Sequence, residues 1–178
     1  MSGVRHSGLS SVNSTALSIG GTAIAATAAE INRVADASAR GVAAGSTLAV
    51  TEALHDGKVI KLDTATGSVC TLPAATGSGA RFKFMVSVLA TSNSHIVKVA
   101  SASDIMQGVI AQANDTDGSV SAWETAADSD TITLNRTTTG SVTRGEWVEL
   151  IDIAANLWLV TGLISGTGTE ATPFSATV

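Results

Sequence analysis

Gly145-Glu146-Trp147-Val148-Glu149-Leu150-Ile151-Asp152-Ile153 and Leu157-Trp158-Leu159-Val160-Thr161-Gly162-Leu163 are the two runs that decide how this chain folds. In the first, Trp147, Glu149 and Ile151 alternate with Val148, Leu150 and Asp152. That period of two sends successive side chains to opposite faces of a strand. Apolar residues stand in both sets, so the strand reads as partly buried on each side. Ala155-Asn156 between the runs is a turn signal, which makes the pair two strands and not one long helix.

The same rhythm extends backwards. Candidate strands are Leu48–Ala53, Lys58–Leu62, Val69–Leu72, Arg81–Leu89, Ile96–Ala100, Ile105–Ala111, Val120–Glu124, Thr131–Asn135, Glu146–Ile153 and Leu157–Leu163. Turn signals part them, among them Asp56-Gly57, Thr66-Gly67, Gly77-Ser78-Gly79, Asp115-Thr116-Asp117-Gly118 and Thr139-Gly140. In Arg81–Leu89 the residues Phe82, Phe84, Val86 and Val88 share one face, opposite Lys83, Met85, Ser87 and Leu89. Ten short strands without a second helix predict a mainly β chain, an antiparallel β-sandwich or jelly-roll-like domain. Trp123, Trp147, Trp158, Phe82 and Phe84 are its expected large core residues. This domain spans 46–165; an irregular tail, 166–178, follows it.

One short helix is expected ahead of the β domain, in the segment 27–45. Thr27-Ala28-Ala29-Glu30 matches a capping box, in which each end residue satisfies the backbone amide of the other. Ile31, Val34 and Ala35 form a narrow apolar stripe, and Gly41 stands where a left-handed C′ residue would end the helix. A helix of about a dozen residues is marginal alone, so the stripe needs a partner: the β domain or the same helix of other copies.

Residues 1–26 read as an extended N-terminal arm. They are mostly Ser, Gly, Ala and Thr with isolated Leu, Val and Ile. Such a segment buries too little apolar surface to offset a backbone ordering cost of roughly 1–2 kcal/mol per residue. It therefore takes its shape by lying on other molecules. Leu9, Val12, Leu17, Ile19 and Ile24 are the candidate partner-binding residues, through strand addition or groove filling.

Composition narrows the function classes. Ala, Ser, Thr and Gly make up about half the chain, and charged residues only 14% against roughly 25% in ordinary globular proteins. Close-packed structural proteins have this character more often than enzymes. A net charge of −5 and a pI near 5.0 argue against a nucleic-acid surface, as do basic residues scattered along the sequence. No membrane partner is expected either, because the most apolar window, Trp147 to Ile164, contains Glu149, Asp152 and Asn156. Ala16 to Ala29 resembles a signal peptide only weakly and is expected to be retained.

No chemistry stands out. The three histidines, His6, His55 and His95, lie far apart and beside no nucleophile. Cys70 reads as a small buried strand residue. Gly166-Thr167-Gly168-Thr169-Glu170-Ala171 imitates a dinucleotide fingerprint, but Thr172-Pro173 leaves no helix to receive a phosphate, so a flexible tail is the plainer reading. Asp115-Thr116-Asp117-Gly118 lacks the later ligands of a calcium loop and reads as a turn, with Asp128 and Asp130 leaving room for a weak surface cation site. No catalytic, cofactor-binding or metal-ligating residue is assigned, no cofactor is expected, and the chain is not expected to be an enzyme.

At Thr27-Ala28-Ala29-Glu30-Ile31-Asn32 the sequence resembles a recurring element of tailed-bacteriophage virion proteins, which stands N-terminal to a β-rich domain in head-decoration, head-fibre or tail-fibre subunits. Val69-Cys70-Thr71-Leu72-Pro73, the following Gly77-x-Gly79 and Arg81-Phe82-Lys83-Phe84, then Asp130–Asn135, Gly145–Leu150 and Asn156–Val160, are similar to the same group. The likeness covers roughly Gly20 to Phe174. It implies a virion structural protein: a capsid decoration, or cement, protein on the outer surface of the phage head. Its arm would bind the major capsid protein, and its helix residues Ile31, Val34 and Ala35 would cluster in a homo-oligomer, a trimer before a dimer. The alternative is a tail-fibre or receptor-binding appendage that recognises a host surface glycan near Trp123 and Asp128.

Overall fold

The computed structural model describes residues 18–35 and 40–178. They fall into two units that divide between Ala35 and Asp36. In the first, β1 (Ser18–Ile19) and β2 (Thr22–Ala23) pair antiparallel across Gly20-Gly21. Both glycines have positive φ, 59° and 84°, as a two-residue hairpin turn of the primed type requires. Part of the arm expected to be extended is thus a small hairpin. Helix α1 (Ala28–Ala35) follows. Its capping box forms as the sequence predicts: Thr27 N–H and Oγ1 donate to Glu30 Oε2 at 2.6 and 2.7 Å, and Glu30 N–H donates to Thr27 Oγ1 at 3.2 Å.

The second unit contains β3 (Gly41–Ala43), β4 (Thr47–Ala49), α2 (Glu52–His55), β5 (Val59–Leu62), β6 (Val69–Thr71), β7 (Arg81–Val86) and β8 (His95–Lys98). Then come β9 (Ile105–Ala113), β10 (Val120–Glu124), β11 (Thr131–Leu134), β12 (Trp147–Ala154), β13 (Leu157–Ser165) and β14 (Phe174–Ser175). Seven strands form one sheet in the order β10-β9-β13-β12-β7-β5-β3, and five form the other, β14-β11-β8-β6-β4.

A sandwich-like, mainly β architecture agrees with the sequence reading; the strand directions depart from it. From β3 to β8 the chain changes sheet at every strand, so β3, β5 and β7 are parallel neighbours in one sheet and β4, β6 and β8 in the other. Antiparallel pairing comes with β9/β10, β12/β13, β12/β7, β11/β8 and β11/β14. The sheets are therefore mixed. Period-two patterning specifies faces and says nothing of direction, so antiparallel neighbours could not be read from it.

Registers show how the core is built. Across the larger sheet Ile60, Phe84, Val148, Gly162, Ile110 and Trp123 stand in one row. Across the smaller, Leu48, Cys70, Val97, Ile132 and Phe174 do the same. Apart from Leu48 and Trp123, which are partly buried against the core, these residues are buried. Phe82 and Trp158 add a tilted ring pair with centroids 5.7 Å apart. Trp147, expected in the core, is on the outer face of the larger sheet instead, because Val148, Leu150 and Asp152 take the inward positions of β12.

Three further local expectations change. The end of Leu48–Ala53 becomes α2, where the buried His55 folds back and its Nδ1 accepts the Thr51 N–H at 2.9 Å. Gly41 opens β3 and is no helix C′ residue. The tail adds β14 to the smaller sheet, burying Phe174, and Asp130 accepts the Thr177 and Val178 N–H groups. A tail so bound is not the flexible one expected.

Cys70 is fully buried, and burial, reinforced by the negative charge of Asp63, pushes its thiol up to about 12. Thiolate is the reactive form, so alkylation at pH 8 should run on the order of a thousandfold slower than for a free cysteine of pKa ~8.5. Mass spectrometry after iodoacetamide should find the folded chain unlabelled and the urea-unfolded chain labelled once.

Candidate interaction surface

Once the inner face of the larger sheet is filled, the outer one should be polar. It is not. The outward positions of β13 are Leu157, Leu159, Thr161, Leu163 and Ser165, and those of β12 are Trp147, Glu149, Ile151 and Ile153. On β9 they are Ile105, Gln107, Val109, Ala111 and Ala113, and on β10 Val120, Ala122 and Glu124. Among the described residues eight large apolar side chains are exposed, and five of them, Val109, Val120, Ile153, Leu159 and Leu163, lie on this one face. Their exposures run from 38% to 65%, so the described residues of this unit leave them uncovered.

Cross-strand registers make the patch contiguous. One row runs Ala122, Ala111, Leu163, Trp147, Met85, Lys61. The next runs Glu124, Val109, Thr161, Glu149, Lys83, Val59, and a third Gln107, Leu159, Ile151, Arg81. Lys83 Nζ stands 4.2 Å from the centroid of the Trp147 ring, a cation–π contact at the border of the apolar stripe.

Charge is sorted along these rows. Lys58, Arg81 and Lys83, with Gly57, Val59 and Glu149, line a hollow of about 210 Å³ at the β5–β7 side. Lys61 is on the same strand as Val59. No ion pair ties Lys58, Lys61 or Arg81 to a carboxylate among the described residues. Bases that are scattered in sequence thus converge in the fold. At the opposite edge, Glu124 is on β10, and Asp115 and Asp117 occupy the exposed tip of the β9–β10 hairpin. Arg144 lines a second hollow, of about 220 Å³, with Ala113, Leu163 and Ser165.

Of the residues singled out from sequence, Ile24 is half-buried and Ile31 is 37% exposed within the first unit. Leu9, Val12 and Leu17 lie outside the described residues, as do the side chains of Ile19, Val34 and Ala35. Trp123 lies partly buried against the core, its Nε1 donating to Gln112 Oε1 at 2.8 Å, so its ring is no free platform for a sugar. Asp128 is exposed and Asp130 is committed to the tail. His55 and His95 are buried apart; His95 accepts the Ser68 N–H through Nδ1 and its Nε2 pairs with the Val88 carbonyl. Among the described residues no three His, Cys, Asp or Glu side chains converge as a metal site would need. No described helix is long and apolar enough to cross a membrane.

Sequence reasoning read the β12 strand as partly buried on both faces but missed the outer-face residues of β9, β10 and β13, although β13 carries a signal. In Leu157–Ser165 large apolar residues stand in both alternating sets, with Leu157, Leu159 and Leu163 in the outward one, whereas a strand with one wet face would be mostly polar there.

No family model matches the chain, and neither a curated protein nor a solved structure matches it.

Proposed function

We propose that this chain is a structural subunit of a tailed-phage virion, a head-decoration protein of the cement or head-fibre kind that works as a homo-oligomer. One observation carries the reading: a two-sheet domain whose own described residues leave a broad apolar sheet face uncovered is suited to be one part of an assembly. The resemblance around Thr27–Asn32 supplies the kind of assembly, and the capping box formed there agrees with an element placed between arm and β domain. In this reading the N-terminal segment, with Leu9, Val12, Leu17, Ile19 and Ile24, binds the major capsid protein on the outer head surface. The β domain projects away from the shell. Many weak contacts repeated over the capsid then hold each subunit in place. No catalytic step is assigned to any residue.

The glycan-binding appendage has less behind it, since the Trp123 ring is turned to the core. Deleting residues 2–26 tests the capsid reading. The shortened chain should keep its far-UV spectrum and melting temperature, yet its co-sedimentation with undecorated capsids should fall at least about tenfold, the loss of several anchoring contacts. Undiminished attachment would remove the arm from the argument. Attachment to isolated tails and not to heads would favour the appendage.

A further inference from the structure

We infer that copies of this chain associate through the outer face of the seven-stranded sheet, the β10 edge of one copy lying against the β5–β7 side of the next. The inference rests on the self-assembly part of the reading above and is independent of the capsid.

The occupant is a second copy because the face is complementary to itself. Its middle is apolar: Val109, Leu159, Leu163, Ile151 and Trp147. Its two sides carry opposite charge, Glu124 with the hairpin acids Asp115 and Asp117 at one, and Lys58, Lys61 and Arg81 at the other. Glu149 and Lys83 are directly opposed across β12 and β7, so they balance within the chain and leave that polarity standing. A partner of uniform charge would match one side and repel the other. A second copy matches both, if a twofold axis runs along the strands or if copies follow one another around a ring. Turning the copy about an axis across the strands would set acid against acid and base against base.

Size agrees. Six strand spacings of about 4.8 Å make the sheet about 29 Å wide, and its strands, three to nine residues each, run about 10 to 30 Å at about 3.3 Å per residue, longest at β9 and β13. A face of those dimensions can supply the roughly 800 Å² per partner of a standard protein interface. Apolar burial then gives the affinity, and the charged sides choose the orientation.

The test is light scattering coupled to size exclusion, on the full chain at low ionic strength over a range of concentrations. The unaltered chain is expected to be an oligomer and Leu163→Asp a monomer. Leu163 is exposed, so the substitution leaves the fold intact, as far-UV dichroism will check; Leu159→Asp replaces it should that variant misfold. Lys61→Glu and Glu124→Lys should each weaken association at least about tenfold, and the two together should restore it to within about threefold. Lys61 and Glu124 are five strand spacings apart in one chain, about 24 Å, too far for direct pairing. Restoration therefore reports a contact between copies. An oligomer that survives Leu163→Asp, or a double variant no better than its parents, overturns this face and leaves self-assembly standing. A monomer at every concentration overturns self-assembly itself.

Discussion

Asp152→Ala is expected to cost about 2–3 kcal/mol of folding stability, because it removes a buried charged acceptor of several part-buried hydrogen bonds. Each contributes on the order of 1.5–3 kcal/mol before water replaces part of it at the exposed donors. Asp152 is fully buried at the inward end of β12. Its Oδ1 accepts the N–H groups of Thr76 and Gly77 at 3.1 and 2.7 Å, and its Oδ2 those of Thr76 and Ser78 at 2.9 and 3.1 Å. The hydroxyls of Thr76 and Ser78 also donate to Oδ2. One carboxylate thus holds the loop that leads into β7, and no backbone partner is at hand to replace it. Asp152→Asn keeps one acceptor and should fall between. Urea unfolding measures both.

The pH dependence of that loss has a definite sign. Burial alone would raise the Asp152 carboxyl, but the N–H groups of Thr76, Gly77 and Ser78, with the Ser78 hydroxyl, outweigh it and hold the group below its usual 3.8. A carboxyl lower in the folded than in the unfolded chain stabilises the fold above the unfolded value. That contribution vanishes as pH falls through the folded one. The gap between the unaltered chain and Asp152→Asn should therefore be widest near neutral pH and close in acid. A gap that widens below pH ~4 would contradict the assigned hydrogen bonds. Glu146 works in the other direction: burial raises its carboxyl despite the N–H groups of Thr143, Val142 and Ser141. Its contribution declines as pH rises through the carboxylate range, so the whole-chain acid limb is shallower than Asp152 alone would give.

How legible these features were depends on range. Each of the ten strands expected from alternation exists, with ends shifted by a few residues, because inward-facing apolar residues recur every second position whatever the topology. The capping box was legible because all its atoms fall within four residues. Parallel pairing was not, since the direction of a neighbour is set by where the chain goes between strands. Nor was α2: Thr51-Glu52-Ala53-Leu54-His55 is too short for a helical period, and the ring of His55 decides it by folding back on Thr51. The charge sorting was hidden for a similar reason. Lys58, Lys61, Arg81 and Lys83 come from two runs that become adjacent only through the β5–β7 register. The apolar outer face had left its mark in Leu157–Ser165, where large apolar residues recur in both alternating sets and signal burial on both sides. Only the fold shows that one of those sides has no cover among the described residues of its own unit.

Gly108→Ala is the second large effect expected, and it bears on the surface as well as on stability. Gly108 has φ +149° in the middle of β9, directly opposite Val160 in the parallel pairing with β13. A Cβ there would stand 1.9 Å from the Val160 carbonyl oxygen and 2.9 Å from its carbon. Both are main-chain atoms in the centre of a sheet, so no side-chain rotation can make room. The strands must part, and a cost of about 3 kcal/mol or more follows from the combined overpacking and backbone strain. Gly118→Ala is the matched control. Gly118 also has positive φ, +70°, but nothing lies within 4 Å of its would-be Cβ, so the conformational cost alone, about 1 kcal/mol, should appear. Equal losses for the two in chemical denaturation would mean that β9 and β13 are not so closely joined. If they are, Gly108→Ala must also disturb the flanking Val109 and Leu159. These belong to the outer apolar face, so the variant should dissociate at concentrations where the Gly118 control remains assembled. In the proposed association, the tight main-chain contact between these two strands would fix the face that meets another copy.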